Sequence, residues 1–334
     1  MDKLKLAIYW GAACGGCDIA FLDIDERILE VVDVADIVFW PVAMDFKYED
    51  VEAMGDGSID VTFYNGAVRS TENEHIAHLL REKSKIMIAY GTCACFGGIP
   101  GLANVSNKRG VFEVVYKTTP STVNPEFVTP QTEVKIKEGR LELPDFYDTV
   151  KSLPQVVDVD YYVPGCPPDP DRIETAIKKL IVPLAEKREL PPKGTVIAAE
   201  KSLCEECPRE KYEKKITRIY RPHEIQADPE KCFLEQGLLC MGMVTRGGCG
   251  SRCINANMPC RGCLGPTAEV VDQGAAALSA LASILGIDEE AEMSDEDVEK
   301  LMDQIKDPLG TFYRFTLASA LINRTAIREG KDAP

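Results

Sequence analysis

The first half of the chain alternates short apolar runs with stretches of helical periodicity. Five runs of five to seven residues are rich in aromatic and β-branched side chains, and each is followed by glycine, proline or asparagine, as is typical of buried strands. These runs are Leu4–Trp10, Asp36–Trp40, Ile59–Tyr64, Lys85–Tyr90 and Val159–Val163. Strands that alternate with helices are typical of a doubly wound parallel sheet, so the pattern predicts an α/β fold.

Three segments of this half, Asp18–Val31, Glu72–Lys83 and Arg172–Arg188, have helical periodicity. In the first of them the apolar residues recur at helical spacing, which predicts a single helix. Those residues are Ile19, Leu22, Ile28 and Leu29. The pattern fails between about residues 101 and 153, where proline, threonine, asparagine and lysine predict an irregular insertion with one hairpin.

The second part of the chain has a different composition. Residues 201–267 contain many cysteine, glycine and proline residues and little periodicity. Such a segment cannot fold on apolar burial alone, and bound metal would supply the missing free energy. Helical periodicity returns in Ala268–Ile287 and Asp295–Ile327. We therefore divide the chain into an α/β domain, residues 1–192, and a metal-stabilised part with a helical tail, residues 193–334.

Composition and charge disfavour several classes of function. The 38 basic and 54 acidic residues give a net charge of −16, which repels phosphate backbones and argues against a nucleic-acid partner. Near the C-terminus the longest run without charges or turn signals, Gly274–Ile287, has about 14 residues. A membrane-spanning helix needs ~20, so no membrane partner is expected. With only three histidines in the chain, a site built on histidine is also disfavoured.

The 13 cysteines need an explanation other than cross-links. A chain of 334 residues can bury an ample core without disulfides. The N-terminal sequence has no basic, apolar export signal, and disulfides are rare in reducing compartments. We therefore predict a cytoplasmic protein whose thiols bind metal.

Four cysteines follow strands of the predicted sheet. Cys14 and Cys17 come after the first run, Cys93 after the fourth and Cys166 after the fifth. Because the carboxyl ends of parallel strands meet at one edge, these four thiols can converge there. Three interpretations remain open on spacing alone: a thioredoxin-like redox pair, half of a zinc site, or an iron–sulfur cluster. The cluster is preferred because it needs four thiolates.

Eight further cysteines lie within sixty residues and divide into two groups of four. The groups are Cys204, Cys207, Cys232 and Cys240, and then Cys249, Cys253, Cys260 and Cys263. Two complete groups at this spacing predict two metal sites, but zinc and iron–sulfur clusters satisfy the spacing equally well. Cys95 is left without a group.

Five short motifs follow one another along the chain. They are Cys14–Cys17, Gly91–Gly98, Gly165–Pro168, Gly242–Thr245 and Pro259–Cys263. In this order they resemble the small subunit of nickel–iron hydrogenases, and the likeness runs from about residue 4 to residue 266. A quinone-linked subunit of the complex I type is disfavoured, because that family lacks the segment with eight cysteines.

The resemblance implies a flavodoxin-like first domain and three 4Fe–4S clusters. The proximal cluster would be held by Cys14, Cys17, Cys93 and Cys166, the medial one by Cys249, Cys253, Cys260 and Cys263, and the distal one by Cys204, Cys207, Cys232 and Cys240. The chain would then conduct electrons, since dihydrogen would be split in a separate large subunit. A downstream iron–sulfur or flavin subunit would accept the electrons.

Departures from the family pattern point to a subtype. Cys204 stands where many members have histidine, and Cys253 stands where many have proline. These two features resemble the cytoplasmic hydrogenases of methanogens and related organisms. Within that group, the long insertion near Thr118–Leu143 is most similar to the methyl-viologen-reducing type, which works beside heterodisulfide reductase. Asn65 stands where the family often has a glutamate, so the resemblance does not support a carboxylate role at that position. The alternatives are a deazaflavin-coenzyme-reducing hydrogenase and, in another class, a zinc-stabilised interaction scaffold.

Overall fold

A computed structural model describes residues 3–212, 216–285 and 294–322. Along this part of the chain the strands are β1 Leu4–Trp10, β2 Ala35–Phe39, β3 Ile59–Asn65, β4 Val68–Ser70, β5 Ser84–Tyr90, β6 Glu133–Ile136, β7 Gly139–Glu142, β8 Phe146–Lys151 and β9 Tyr161–Val163. Five of them form a parallel sheet in the order β2-β1-β3-β5-β9. Counted along the chain this is the doubly wound order 2-1-3-4-5 of flavodoxin-like folds. The predicted α/β class and its five strands are confirmed.

The register of the sheet aligns the carboxyl ends of four strands. Trp10 pairs with Asn65, Asn65 with Tyr90, and Tyr90 with Val163. The segments that follow β1, β5 and β9 therefore start at the same edge of the sheet. These segments carry Cys14, Cys17, Cys93 and Cys166.

Helices cover both faces of the sheet and form the C-terminal part. They are α1 Gly16–Leu22, α2 Ile28–Val34, α3 Tyr48–Glu52, α4 Thr71–Lys83, α5 Gly91–Phe96, α6 Lys108–Glu113, α7 Pro170–Ala176, α8 Val182–Ala185, α9 Arg252–Asn255, α10 Gln273–Ile284, α11 Asp295–Met302 and α12 Pro308–Phe312. Residues 286–287 and 323–327 of the predicted tail helices lie outside the described residues. None of the helices in the described ranges is long and apolar enough to cross a bilayer.

The predicted single helix over Asp18–Val31 is wrong. The chain breaks between α1 and α2, where Asp25 has a φ of 53° and a short 3-10 turn follows. The residues that reach the core from this region are Phe21, Ile24 and Val31. Ile19 and Leu29 are instead 60% and 61% exposed. Two of the apolar residues whose spacing suggested one helix therefore lie on the surface and not in the core.

The insertion between α5 and β9 has more structure than predicted. Its hairpin, β6 paired with β7, is present as expected. In addition, β8 pairs antiparallel with β4, and α6 packs against β8. The hairpin register places Val134 opposite Leu141, with Ile136 on the same face. These three side chains are 41–56% exposed.

The Cys-rich segment has its own core. Phe233, Leu234 and Met241 pack there with apolar residues of α10, α11 and α12. The C-terminal chain also returns to the sheet domain, since Gln155 Nε2 donates to the Ala318 carbonyl at 2.9 Å. The Cys-rich segment is therefore joined to the sheet domain through the C-terminal chain.

Candidate metal centres

The first group of cysteines, Cys14, Cys17, Cys93 and Cys166, lies together at the carboxyl edge of the sheet. Cys17 is the second residue of α1, Cys93 is in α5, and Cys166 follows β9. Burial raises the pKa of Cys17, and the neighbouring thiols of Cys93, Cys166 and Cys14 raise it further. Burial also raises the pKa of Cys93, to about 12, with the Cys166 and Cys14 thiols contributing. Cys14 and Cys166 are exposed, so this group opens to the molecular surface.

Glycines and backbone N–H groups shape the space around these thiols. Gly91 has a φ of +81°, and a Cβ there would lie 2.3 Å from Cys17 Sγ; at Gly98 a Cβ would lie 2.5 Å from Cys93 Sγ. The Gly16 N–H donates to Cys14 Sγ at 3.4 Å. N–H groups directed at sulfur stabilise thiolates and tune iron–sulfur clusters. The soft thiol donors and their N–H partners fit such a cluster.

A buried carboxylate beside Cys17 is a feature that the sequence did not reveal. Asp18 is 2% exposed, and its two oxygens accept from Trp40 Nε1 at 2.9 Å and Asn65 Nδ2 at 3.0 Å. Burial raises the pKa of Asp18, while the two donors oppose that rise. The only sequence signal was an acid directly after the Cys-x-x-Cys motif. Asn65 therefore serves as a donor at the place where the family resemblance suggested a carboxylate.

In the group of Cys204, Cys207, Cys232 and Cys240, two of the thiols lie beside a glycine. A Cβ at Gly242 would lie 3.5 Å from Cys204 Sγ and 3.6 Å from Cys240 Sγ. Burial raises the pKa of Cys240 to about 11, with the Cys204 and Cys232 thiols contributing and the N–H groups of Gly242 and Cys260 opposing. Cys207 is half-buried and packs against the hydrophobic core of the Cys-rich segment.

The group of Cys249, Cys253, Cys260 and Cys263 lies between the other two. The pKa of Cys263 is raised to about 12, mainly by burial. The Cys249, Cys253 and Cys166 thiols raise this pKa further, and a hydrogen bond from the Cys166 N–H lowers it. Burial raises the pKa of Cys260 too, and Cys240 adds to that rise. Cys263 therefore adjoins the first group, and Cys260 adjoins the group around Gly242.

Glu206 is another residue that sequence reasoning missed. Its Oε2 accepts from the Gly248 N–H at 2.7 Å and its Oε1 from the Ser251 N–H at 3.3 Å. Cys249 Sγ lies 3.9 Å from the same carboxylate. Glu206 thus ties the Cys204–Cys207 loop to the loop around Cys249.

The thirteenth cysteine is separate from the three groups. Cys95 is 2% exposed in the sheet core, and its thiol donates to the Ala89 carbonyl at 3.3 Å. Across residues 3–212, 216–285 and 294–322, no three His, Cys, Asp or Glu side chains are arranged to hold a single metal ion.

We expect the metal-free chain to lose stability as pH rises above about 8.5, where thiols of the unfolded chain ionise. The folded-state pKa values of Cys93, Cys240 and Cys263 are about 12, 11 and 12. Their contribution is therefore fully present below pH 8.5 and is lost as pH approaches 11–12, at up to about 1.4 kcal/mol per thiol per pH unit. Urea unfolding between pH 7.5 and 11 tests this.

The metal-loaded protein is the control for that titration. The ligand thiols of the metal-loaded protein are already ionised, so they should no longer make its stability depend on pH. The pH dependence that comes from ionising tyrosines should remain. Equal pH profiles for the two forms would contradict the prediction.

Comparison with known proteins agrees with this arrangement. The family model described as "NADH ubiquinone oxidoreductase, 20 Kd subunit" matches residues 14–180, which contain Cys14, Cys17, Cys93 and Cys166. The chain is 42% identical over 328 residues to the iron–sulfur subunit of the F420-non-reducing hydrogenase of Archaeoglobus profundus, covering 96% of this chain and 98% of the relative. It is 40% identical over 333 residues to a subunit of the F420-non-reducing hydrogenase of Methanothermobacter thermautotrophicus, covering 99% of each.

Solved structures support the fold. A chain of the Ni–Fe–Se hydrogenase of Desulfomicrobium baculatum is 21% identical, with a TM-score of 0.50 over 80% of this chain and 96% of that one. The fold, the motif order and the full-length relatives define a class, the small subunits of nickel–iron hydrogenases. The chain belongs to the family of iron–sulfur subunits of F420-non-reducing hydrogenases. The predicted family is confirmed, and the protein is a hydrogenase subunit that carries iron–sulfur clusters.

Proposed function

We propose that this chain conducts electrons for a nickel–iron hydrogenase through three 4Fe–4S clusters. The proximal ligands would be Cys14, Cys17, Cys93 and Cys166; the medial ligands Cys249, Cys253, Cys260 and Cys263; the distal ligands Cys204, Cys207, Cys232 and Cys240. The observation that carries this proposal is the row of three thiol groups, in which Cys263 adjoins the first group and Cys260 adjoins Cys240. When bound, each cluster would supply reversible one-electron chemistry.

The protein's own residues provide the surroundings that this chemistry needs. Cys17, Cys93 and Cys260 are buried away from water. Backbone N–H groups at Gly242, Gly262 and Ser251 are directed at sulfur. Such donors stabilise negative charge on the ligands and so influence the reduction potential. The glycines at 91 and 98 let sulfur approach the backbone closely.

The carboxyl edge of the sheet is the proposed contact with a large subunit, in which dihydrogen would be split into two protons and two electrons. Cys14 and Cys166 are exposed there. Trp10 and Ile19, which flank the Cys14 loop, are 40% and 60% exposed, although they are large apolar residues. Exposed apolar surface of this kind is typical of obligate interfaces.

The electron acceptor is proposed to be an iron–sulfur or flavin subunit of a heterodisulfide reductase complex in the cytoplasm. The names of the full-length relatives support this subtype, because they exclude F420, a deazaflavin coenzyme, as the electron acceptor. A deazaflavin-reducing hydrogenase is accordingly the less favoured alternative.

Anaerobic isolation of the native complex tests the proposal. We expect a brown protein with about 12 iron atoms in this chain, the content of three four-iron clusters. A large subunit should copurify, and dihydrogen should reduce the clusters only in its presence. A colourless chain that contains zinc would contradict the proposal and favour the interaction scaffold.

A further inference from the structure

Two buried threonines lie where neighbouring cysteine groups meet. The first is Thr92, which is 1% exposed. Its hydroxyl donates to the Cys263 carbonyl at 2.6 Å and accepts from the Gly165 N–H at 3.0 Å. The Thr92 N–H donates in turn to the Gly165 carbonyl at 2.9 Å. One residue thus joins the loop of Cys166, in the proximal group, to Cys263, in the medial group.

The second is Thr245, which is also 1% exposed. Its hydroxyl donates to the Met241 carbonyl at 2.5 Å and accepts from Gln273 Nε2 at 3.0 Å. The N–H of Met241, next to Cys240, donates to the Cys260 carbonyl at 3.0 Å. Thr245 therefore fixes the peptide that joins the distal group to the medial one.

The two residues share a specific arrangement. Each hydroxyl both donates and accepts, so its orientation is determined, and each is buried. Each is bonded to the backbone that connects ligand cysteines of different groups, across 171 residues in the case of Thr92 and Cys263. Backbone packing alone would not require a hydroxyl at both junctions.

We propose that Thr92 and Thr245 are positioning residues that set the spacing and mutual orientation of successive clusters: Thr92 between the proximal and medial clusters, Thr245 between the medial and distal clusters. The proposal rests on the proposed function. Electron tunnelling weakens exponentially with distance, and outer-sphere hydrogen bonds tune cluster potentials. Removing either hydroxyl would therefore affect the two clusters that it joins and leave the spacing of the other pair unchanged.

The experiment compares Thr92→Val with Thr245→Val in the complete hydrogenase complex, by redox titration followed with electron paramagnetic resonance. We expect Thr92→Val to shift the proximal and medial potentials and to alter the magnetic interaction between those two clusters, while the distal potential stays unchanged. Thr245→Val should shift the medial and distal potentials and spare the proximal one. Electron transfer across the affected junction should slow by roughly tenfold or more.

Conservative variants and a packing control separate positioning from a general structural role. Thr92→Ser and Thr245→Ser keep the hydroxyl and should restore the original potentials. Thr62→Val removes another buried hydroxyl of the sheet, which pairs with Ser84 Oγ at 2.6 Å, and should leave all three potentials unchanged. If a valine variant does not accumulate, the alanine variant at the same position is measured instead.

The outcomes distinguish this proposal from the proposed function. A wild-type complex with fewer than three clusters contradicts the proposed function, and this inference with it. Three clusters in the wild type with unchanged potentials in both valine variants, or the same shifts in both, overturn the positioning roles alone.

Discussion

Replacing Gly91 by alanine is expected to remove the proposed proximal cluster and to leave the proposed medial and distal clusters in place. The new Cβ would lie 2.3 Å from Cys17 Sγ, and the φ of +81° is unfavourable for any residue with a side chain. The left-handed conformation alone costs about 1–2 kcal/mol. Cys17 is buried at 8% exposure and cannot move away without displacing α1. The iron content should therefore fall by about a third, from three four-iron clusters to two.

Gly55→Ala is the matched control for that substitution. A Cβ at Gly55 would meet no atom within 4 Å, so the variant should keep its full iron content. Iron and acid-labile sulfide analysis, together with electron paramagnetic resonance spectra, measures both variants. A Gly91→Ala protein with the iron content of the wild type would show that Cys17 is not a ligand in the arrangement described.

Replacing Arg172 by methionine is expected to lower the free energy of unfolding by about 3–5 kcal/mol, the cost of breaking a buried ion pair. Arg172 is 4% exposed and forms an ion pair with Asp169 at 3.3 Å. It also donates to the carbonyls of Ile197 at 2.7 Å and Gly248 at 2.9 Å. Methionine has a similar volume but leaves these three acceptors without their cation.

Because Gly248 directly precedes Cys249, the Arg172 variant should also loosen the medial group from the sheet domain. Thermal unfolding of the metal-loaded protein measures this loss of stability. The midpoint temperature of unfolding should fall by roughly 5–10 °C. Arg188→Met is the control, because its ion pair with Glu186 is exposed and worth about 0–1 kcal/mol. Similar midpoints for the two variants would contradict the assigned role of Arg172.

The strands were predictable because buried strands appear in the sequence as short apolar runs. The predicted run Leu4–Trp10 coincides with β1, and the other runs match their strands to within two residues at each end. Because the carboxyl ends of parallel strands meet at one edge of a sheet, the convergence of Cys14, Cys17, Cys93 and Cys166 could also be anticipated. The register of Trp10, Asn65 and Tyr90 provides that convergence.

Other features depend on contacts that no local pattern encodes. The break before α2 could not be read from periodicity, because Ile19 and Leu29 have the spacing of a buried face but lie on the surface. The hydrogen-bond partners of Asp18 and Glu206 lie 22 to 47 residues away along the chain. For the cysteines, spacing predicted groups of four, whereas the adjacency of Cys263 to Cys166 appears only in three dimensions.

The hairpin of β6 and β7 has two unlike faces. Arg140 pairs with Glu133 and Glu142 on one face, while Val134, Ile136 and Leu141 remain exposed on the other. A two-stranded ribbon is only marginally stable in water, and its uncovered apolar face and free strand edges favour self-association. We therefore expect the isolated chain to self-associate through this ribbon, and a partner that covered the ribbon would prevent that self-association.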